Sequence, residues 1–295
     1  MLQPASRFPS ALLGRCDAVR GPDVKLNLSR RCQLCSDRGN TLSDLYDEPF
    51  LVFLFSLVIL WLAVRAGSFL AGKLRHPTPD EREDINVVIS ACLTLLALII
   101  GFTFSMAVGR YDQRKNYEEE EANAIGTEYV RADLLSVADG ERVRQLLKEF
   151  LAQRILFYTV RDPQQLEAID GKTTQLENDL WSVVQDAVKT GQPTPVLALV
   201  VAGMNDVLNR QGYTQAAWWN RIPVSAWTLM ITLAVFCSAM IGYAQHQRRV
   251  WLFAVVPLLV SIAFFLIADI DSPRRGVIRV IPQNLDSLSQ SLRSH

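Results

Sequence analysis

Four stretches of the chain are long and apolar enough to cross a bilayer, and they come in two pairs: residues 50–70 and 87–108, then 222–243 and 250–268. A run of roughly 18 or more apolar residues must be covered on all sides in water, whereas in hydrocarbon it satisfies its own backbone as a helix. The polar segments are too small to bury four such runs, so the pattern predicts an all-α membrane protein with four spans. An even number of crossings puts both termini, and the segment between spans two and three, on one side. The expected architecture is two helical hairpins, at residues 43–108 and 222–268, with a helical domain at 109–221 inserted between them. A tail follows at 269–295, and an extension precedes at 1–42.

The extension is rich in Arg, Ser, Gly and Pro, and its apolar cluster Ala11-Leu12-Leu13 is too short for a signal-peptide core. It is expected to be disordered. It holds three of the five cysteines, Cys16, Cys32 and Cys35. "CQLC" has ligand spacing, but no second pair or histidine pair accompanies it, so no metal site is expected. Cys92 and Cys237 read as small packing residues within spans. Asp47 is expected to cap the first span, with Pro49 in its first turn. Arg65, near the far end of that span, is expected to snorkel to the interface.

Thirty basic residues balance thirty acidic ones. That argues against a generally basic nucleic-acid binder, and no nucleic-acid partner is expected; the bilayer is the first partner. No Ser-His-Asp pattern, HExxH or P-loop occurs, and the three histidines lie in short loops or at the terminus. No enzyme and no cofactor are expected.

Within the polar domain, "ERVRQLLKEFLAQRILFYTV" puts Val143, Leu146, Leu147, Phe150, Leu151, Ile155 and Tyr158 on one helical stripe. A further helix over 164–189 is weakened at Gly171. "PTPVLALVVAGMNDVLNRQ" holds an apolar run too short to span, and reads as a helix buried in that domain. Trp218 and Trp219, beside Arg221, read as an interfacial anchor for span three. A tight turn, "AQHQRRV", joins spans three and four, and Pro257 is expected to kink the fourth.

The second span does not stop where its apolar run ends. "GFTFSMAVGRYDQRKNYEEEEANAIG" passes from hydrocarbon-compatible residues into charge, and no proline occurs between Pro79 and Pro163. A helix from about residue 85 to 138 rises roughly 80 Å at about 1.5 Å per residue. Only about 30 Å of it fits in hydrocarbon, so the rest is a stalk. Arg114 with Glu118, and Lys115 with Glu119, stand at i, i+4 and read as a solvated, self-paired face. If several copies surround an axis, some of these side chains would instead form a ring. Arg110, Asp112, Glu118, Glu121 and Asn123 are the candidates. Below them Ser90, Thr94, Ala97, Gly101 and Ser105 make a small-residue stripe, which serves close helix packing or lines a narrow pore. Thr94, Gly101 and Ser105 are the pore-lining candidates; Leu96 and Phe102 are expected to face other helices. Where span four meets water, Asp269 and Asp271 are followed by Arg274 and Arg275. The carboxylates are expected either to pair with those arginines or with Arg110, or to be hydrated.

"TLLALIIGFTFSMAVGRYDQRKNYEEEEANAIGTEYVRADLL" and "SIAFFLIADIDSPRRGVIRVIPQNL" resemble the bestrophin-like bacterial membrane-protein family, over about residues 43–293. Through Gly101-Phe102 and Arg110-Tyr111 the chain also resembles, more distantly, the bestrophin ion channels. The resemblance implies a homo-oligomer, a pentamer in bestrophins, that passes inorganic ions. It also implies the bacterial inner membrane, with termini and central domain cytoplasmic. The chain departs from bestrophins at Asp112, where they carry a second aromatic. It also lacks their acidic calcium clasp: Asp269 and Asp271 are two carboxylates where a calcium site needs six to eight oxygens. The count of basic residues flanking the spans favours a cytoplasmic central domain, but the two short loops carry the higher density, so the positive-inside rule does not orient the chain. The alternative reading is a non-conducting scaffold or sensor whose helical domain binds a partner.

Overall fold

The computed structural model describes residues 48–73, 78–190, 194–244 and 250–294. The expectations for residues 1–42, their cysteines, Asp47 and the turn at 245–249 lie outside the described residues. Those residues form eight α-helices and no strand: α1 Pro49–Lys73, α2 Pro79–Arg131, α3 Val137–Thr159, α4 Pro163–Thr190, α5 Pro195–Trp219, α6 Val224–Ala244, α7 Val250–Asp271 and α8 Gln283–Arg293. Four candidate spans lie in Pro49–Lys73, Asp80–Leu134, Pro195–Ala244 and Ala254–Asp271, and the chain is an all-α membrane protein.

The long helix is continuous, with 53 residues. It begins at Pro79, ahead of the expected start, because Thr78 and Glu81 form a capping box. The Thr78 hydroxyl accepts the Glu81 N–H at 3.3 Å, and the Glu81 carboxylate accepts the Thr78 N–H at 2.7 Å. It ends in a 3₁₀ turn, Ala132–Leu134, at a tight corner. A Cβ on Gly140 would stand 2.5 Å from the Ala132 carbonyl oxygen, so only glycine lets α3 turn back there. The other helices keep the expected order. α4 runs unbroken through Gly171, and α7 runs through Pro257.

In the apolar half, α1 packs on α6 and α7, and α2 packs on the same two helices. The pairing is therefore between the two ends of the chain, and α1 does not pack along α2 as a simple hairpin would. Small residues set the closest contact. A Cβ on Gly67 would stand 2.0 Å from the Ala239 carbonyl oxygen, and one on Gly242 would stand 2.0 Å from that of Val64. Ser68 donates across the same contact to the Gly242 carbonyl at 3.0 Å. Lipid tails are as apolar as leucine, so such helices associate through close backbone approach and interhelical hydrogen bonds. Their other faces carry Phe50, Leu54, Phe55, Leu62, Phe69, Leu98, Leu259 and Ile262 on the surface, as a hydrocarbon solvent requires.

The far half of α2 packs with α3, α4, α5 and α8 around Ile125, Val143, Leu147, Phe150, Leu180, Val200, Met204 and Val207. The expected stripe of α3 is in this core, with Leu146 and Ile155 at its margin. Of the short apolar run of α5, Val200 is buried there with Val201 at the margin, whereas Val196 and Leu199 are exposed, so the run is not buried as expected. Two further features differ from expectation. Trp218 is not an interfacial anchor: it is buried edge-on against Phe157 and Tyr158, while Trp219 is exposed. The stretch after α7 is not a loose tail: it folds back as α8 and buries Val280 and Leu285 in the same core.

Candidate functional site

Two opposite faces of α2 divide the site residues between them. At about 100° per residue, Thr94, Gly101, Ser105, Asp112 and Asn123 fall within about 40° of one direction. All five are exposed. A Cβ on Gly101 would meet nothing within 4 Å. Asn116 and Glu119 share this face and are also exposed. Leu96 points the other way into the bundle, as expected. Phe102 does not: it is 66% exposed and borders the open face.

The opposite face carries charge inward. Arg114 is buried and donates to four carbonyls, those of Ala217, Asn220 and Ile270 at 3.3 Å and Asp271 at 3.1 Å. It thus closes the C-terminal ends of α5 and α7, where cations are favoured. Burial lowers its pKa to about 10, with Asp271 offsetting part of the shift, so it stays charged at neutral pH. It is not paired with Glu118. That carboxylate accepts the N–H groups of Asn284 and Leu285 at 2.9 Å, and the Asn284 side-chain amide at 2.7 Å, capping α8. Glu121 forms an ion pair with Arg154 of α3 and accepts from Thr214 of α5 at 3.1 Å. The self-paired, solvated reading of the glutamates fails here, and so does their place in a ring. Glu118 is 1% and Glu121 0% exposed, held by groups from other helices.

Asp271 is the partner of Arg110, at 3.8 Å, and accepts the Ile222 N–H at 3.2 Å. It joins the start of span three to the exit of span four. Among the described residues Asp269 pairs with no arginine; it accepts the N–H groups of Val277 and Ile278 at 2.7 and 2.9 Å. The chain after α7 is thereby wrapped around its carboxylate, with Gly276 pressed against the Asp269 carbonyl. Arg274 instead reaches the Phe157 and Val160 carbonyls at 2.7 and 3.2 Å, and stacks on the Phe157 and Trp218 rings at 4.6 and 4.5 Å. Its pKa falls to about 10, mainly through burial. Arg275 pairs with Glu48 at 2.7 Å, tying this segment to the first span. Among the described residues no cluster of three or more His, Cys, Asp or Glu could hold a metal.

Sequence reasoning missed Arg154, Thr214 and the backbone partners of Glu118. It also missed Glu119 as the glutamate that shares the face of Asp112, although a helical projection of α2 separates it from Glu118 and Glu121.

Four apolar spans, a helix that runs unbroken from the second span into a polar helical domain, and a last span whose exit is anchored by carboxylates define a bestrophin-type fold. The Bestrophin-like domain matches residues 50–285, and the chain belongs to that family. The fold is shared with a bacterial bestrophin homologue from Klebsiella pneumoniae. One point variant of it superposes with a TM-score of 0.60 at 12% identity, covering 87% of this chain and 98% of that one. A crystal form phased on zinc gives 0.57 at 13% identity, covering 83% and 97%. No curated protein matches the chain.

Proposed function

We infer that the protein is an oligomeric ion channel or pore of the bacterial inner membrane, with α2 innermost around the axis. The observation that carries this reading is the open face of α2. Thr94, Gly101 and Ser105 lie within the apolar half, and Asp112, Asn116, Glu119 and Asn123 continue the same face beyond it. A single chain leaves that face uncovered while it buries the other. Small and polar side chains facing an axis leave room for water and ions, and carboxylates above them favour cations. The family and the shared fold support the reading; in it, on the bestrophin resemblance, the assembly is a pentamer with the α3–α5 domain and both termini cytoplasmic. No residue of the site performs bond chemistry in this reading.

The rival reading is a non-conducting scaffold. It draws on an apolar groove of about 500 Å³ between α4 and α5, lined by Trp181, Val188, Leu197 and Val201, that a partner could fill. Purified protein in liposomes separates the two. The channel reading expects ion flux above protein-free vesicles, and expects Ser105→Leu to abolish it in intact oligomers. Absence of flux from the unmodified, correctly assembled protein leaves the scaffold. Equal flux from Ser105→Leu moves the pathway away from α2.

A further inference from the structure

Glu128 lies on α2 where that helix meets α5. Its side chain is fully buried, and among the described residues neither carboxylate oxygen has a hydrogen-bond partner. Among the described residues the cationic group that pairs with it is Arg131, whose Nη1 is 3.9 Å from Oε2. α5 presents Gly203 at this point. A Cβ there would stand 2.0 Å from Glu128 Oε2 and 2.4 Å from Arg131 Nη1, so the missing side chain is what lets α5 close over the carboxyl group. Gly203 and Arg131 also line a polar groove of about 310 Å³, together with Glu120, Asn123, Asp206 and Arg210.

The charges around Glu128 are otherwise committed. Arg210 of α5 bridges Glu120 of α2 and Asp206 of its own helix. Arg144 and Lys148 of α3 lie over the Tyr129 ring, and Arg144 is also held by Asp133 and Glu141. Among the described residues Arg131 is the charge that acts on the carboxyl group, and it offsets only part of the cost of burial.

We propose that Glu128 is a proton-binding site that latches the long helix to α5. With the proton on, the neutral carboxyl group stays under Gly203. With the proton off, the carboxylate turns past Gly203 into the groove, where Arg131 and water solvate it, and the α2–α5 contact loosens. The physical reason is the cost of an unpartnered buried charge, which exceeds that of a neutral carboxyl group. Burial raises the Glu128 pKa from 4.5 to about 7. A group raised in the closed state stabilises that state fully below its open-state pKa, and loses this stabilisation as pH rises toward the closed-state value. Opening therefore becomes easier across the interval from about 4.5 to 7, by up to about tenfold per unit, and levels off above it.

Hydrogen exchange on the full chain in nanodiscs tests this without any reference to ion flux. After correction for intrinsic exchange chemistry, residues 200–207 and 124–131 should exchange on the order of tenfold faster at pH 7.5 than at pH 5.5. Glu128→Gln, a neutral isostere, should hold them protected at both. Wild-type exchange that follows intrinsic chemistry alone, or the same pH response in Glu128→Gln, overturns the proposal. Isotope-edited infrared titration of glutamate needs no substitution. It should find a carboxylic acid that ionises near neutrality and is missing from Glu128→Gln; full ionisation of every glutamate by pH 5.5 would also overturn it.

Discussion

Glu118 of the long helix holds the N-terminus of α8 through Asn284, accepting its backbone N–H at 2.9 Å and its side-chain amide at 2.7 Å. A charge in the middle of α2 is thus the cap of a helix 166 residues away. Glu118→Ala leaves two helix-terminal N–H groups without an acceptor, at a cost of about 1–3 kcal/mol. Faster hydrogen exchange over residues 283–293 and a lower Tm are the expected outcome. An unchanged Tm with unchanged protection of that segment would contradict the capping role.

Glu121 and Arg154 behave as one unit. Both are fully buried, and the guanidinium also lies 4.4 Å from the centre of the Phe157 ring. Removing one partner strands the other charge in the core, so Arg154→Met should destabilise by about 3–5 kcal/mol. The double variant Arg154→Met with Glu121→Gln should recover much of that loss in thermal or chemical unfolding. Strictly additive losses would mean that the two groups do not depend on each other.

Glycines on the two sides of the membrane half should respond in opposite ways. Gly67→Ala and Gly242→Ala each drive a Cβ into a backbone carbonyl of the facing helix, so α1 and α6 must separate. Gly101→Ala meets nothing in a single chain, and it replaces a poor helix former, gaining roughly 1 kcal/mol. Melting in detergent should rank Gly101→Ala at or above wild type and both α1–α6 variants well below it.

The two carboxylates at the exit of α7 have separable roles. Asp269→Asn keeps one carbonyl acceptor for two backbone donors, so it should cost about 1–2 kcal/mol and loosen residues 276–278. Asp271→Asn removes the negative charge beside Arg110 and Arg114. It should destabilise the junction of α2, α6 and α7 more strongly, and its loss should shrink when Arg110 is replaced by Gln. Equal effects of the two substitutions on Tm and on local exchange would argue against this division.

In the channel reading, Asp112 and Glu119 are the carboxylates that face the axis. Asp112→Asn with Glu119→Gln should lower cation over anion permeability in liposomes while leaving Tm near wild type, since both side chains are exposed. Glu118→Gln, which removes a negative charge on the buried face, should leave selectivity alone.

Much of this architecture is legible in the residues. Apolar runs of spanning length place four helices, because a helix satisfies every backbone group of such a run within the run itself. An uninterrupted sequence of helix formers carries α2 into the polar domain, and the 3.6-residue period places Val143, Leu147 and Phe150 in the core and Thr94, Gly101 and Ser105 on one common face. These are local properties, set by neighbours three or four positions away. The fate of the charges is not local. Arg114 and Glu118 have ideal spacing for a surface pair, yet they serve helix ends supplied by residues 217–220, 270–271 and 284–285. Trp218 has the sequence surroundings of an interfacial anchor, yet Phe157, Tyr158 and Arg274 bury it. The sequence by itself determined which segments are helical, which of them suit hydrocarbon and which residues share a side of each helix. Only the tertiary structure decided which side turns inward and which distant backbone group each buried charge satisfies. Burial removes water as a partner, and the replacement is whatever polar group the fold brings within hydrogen-bond reach.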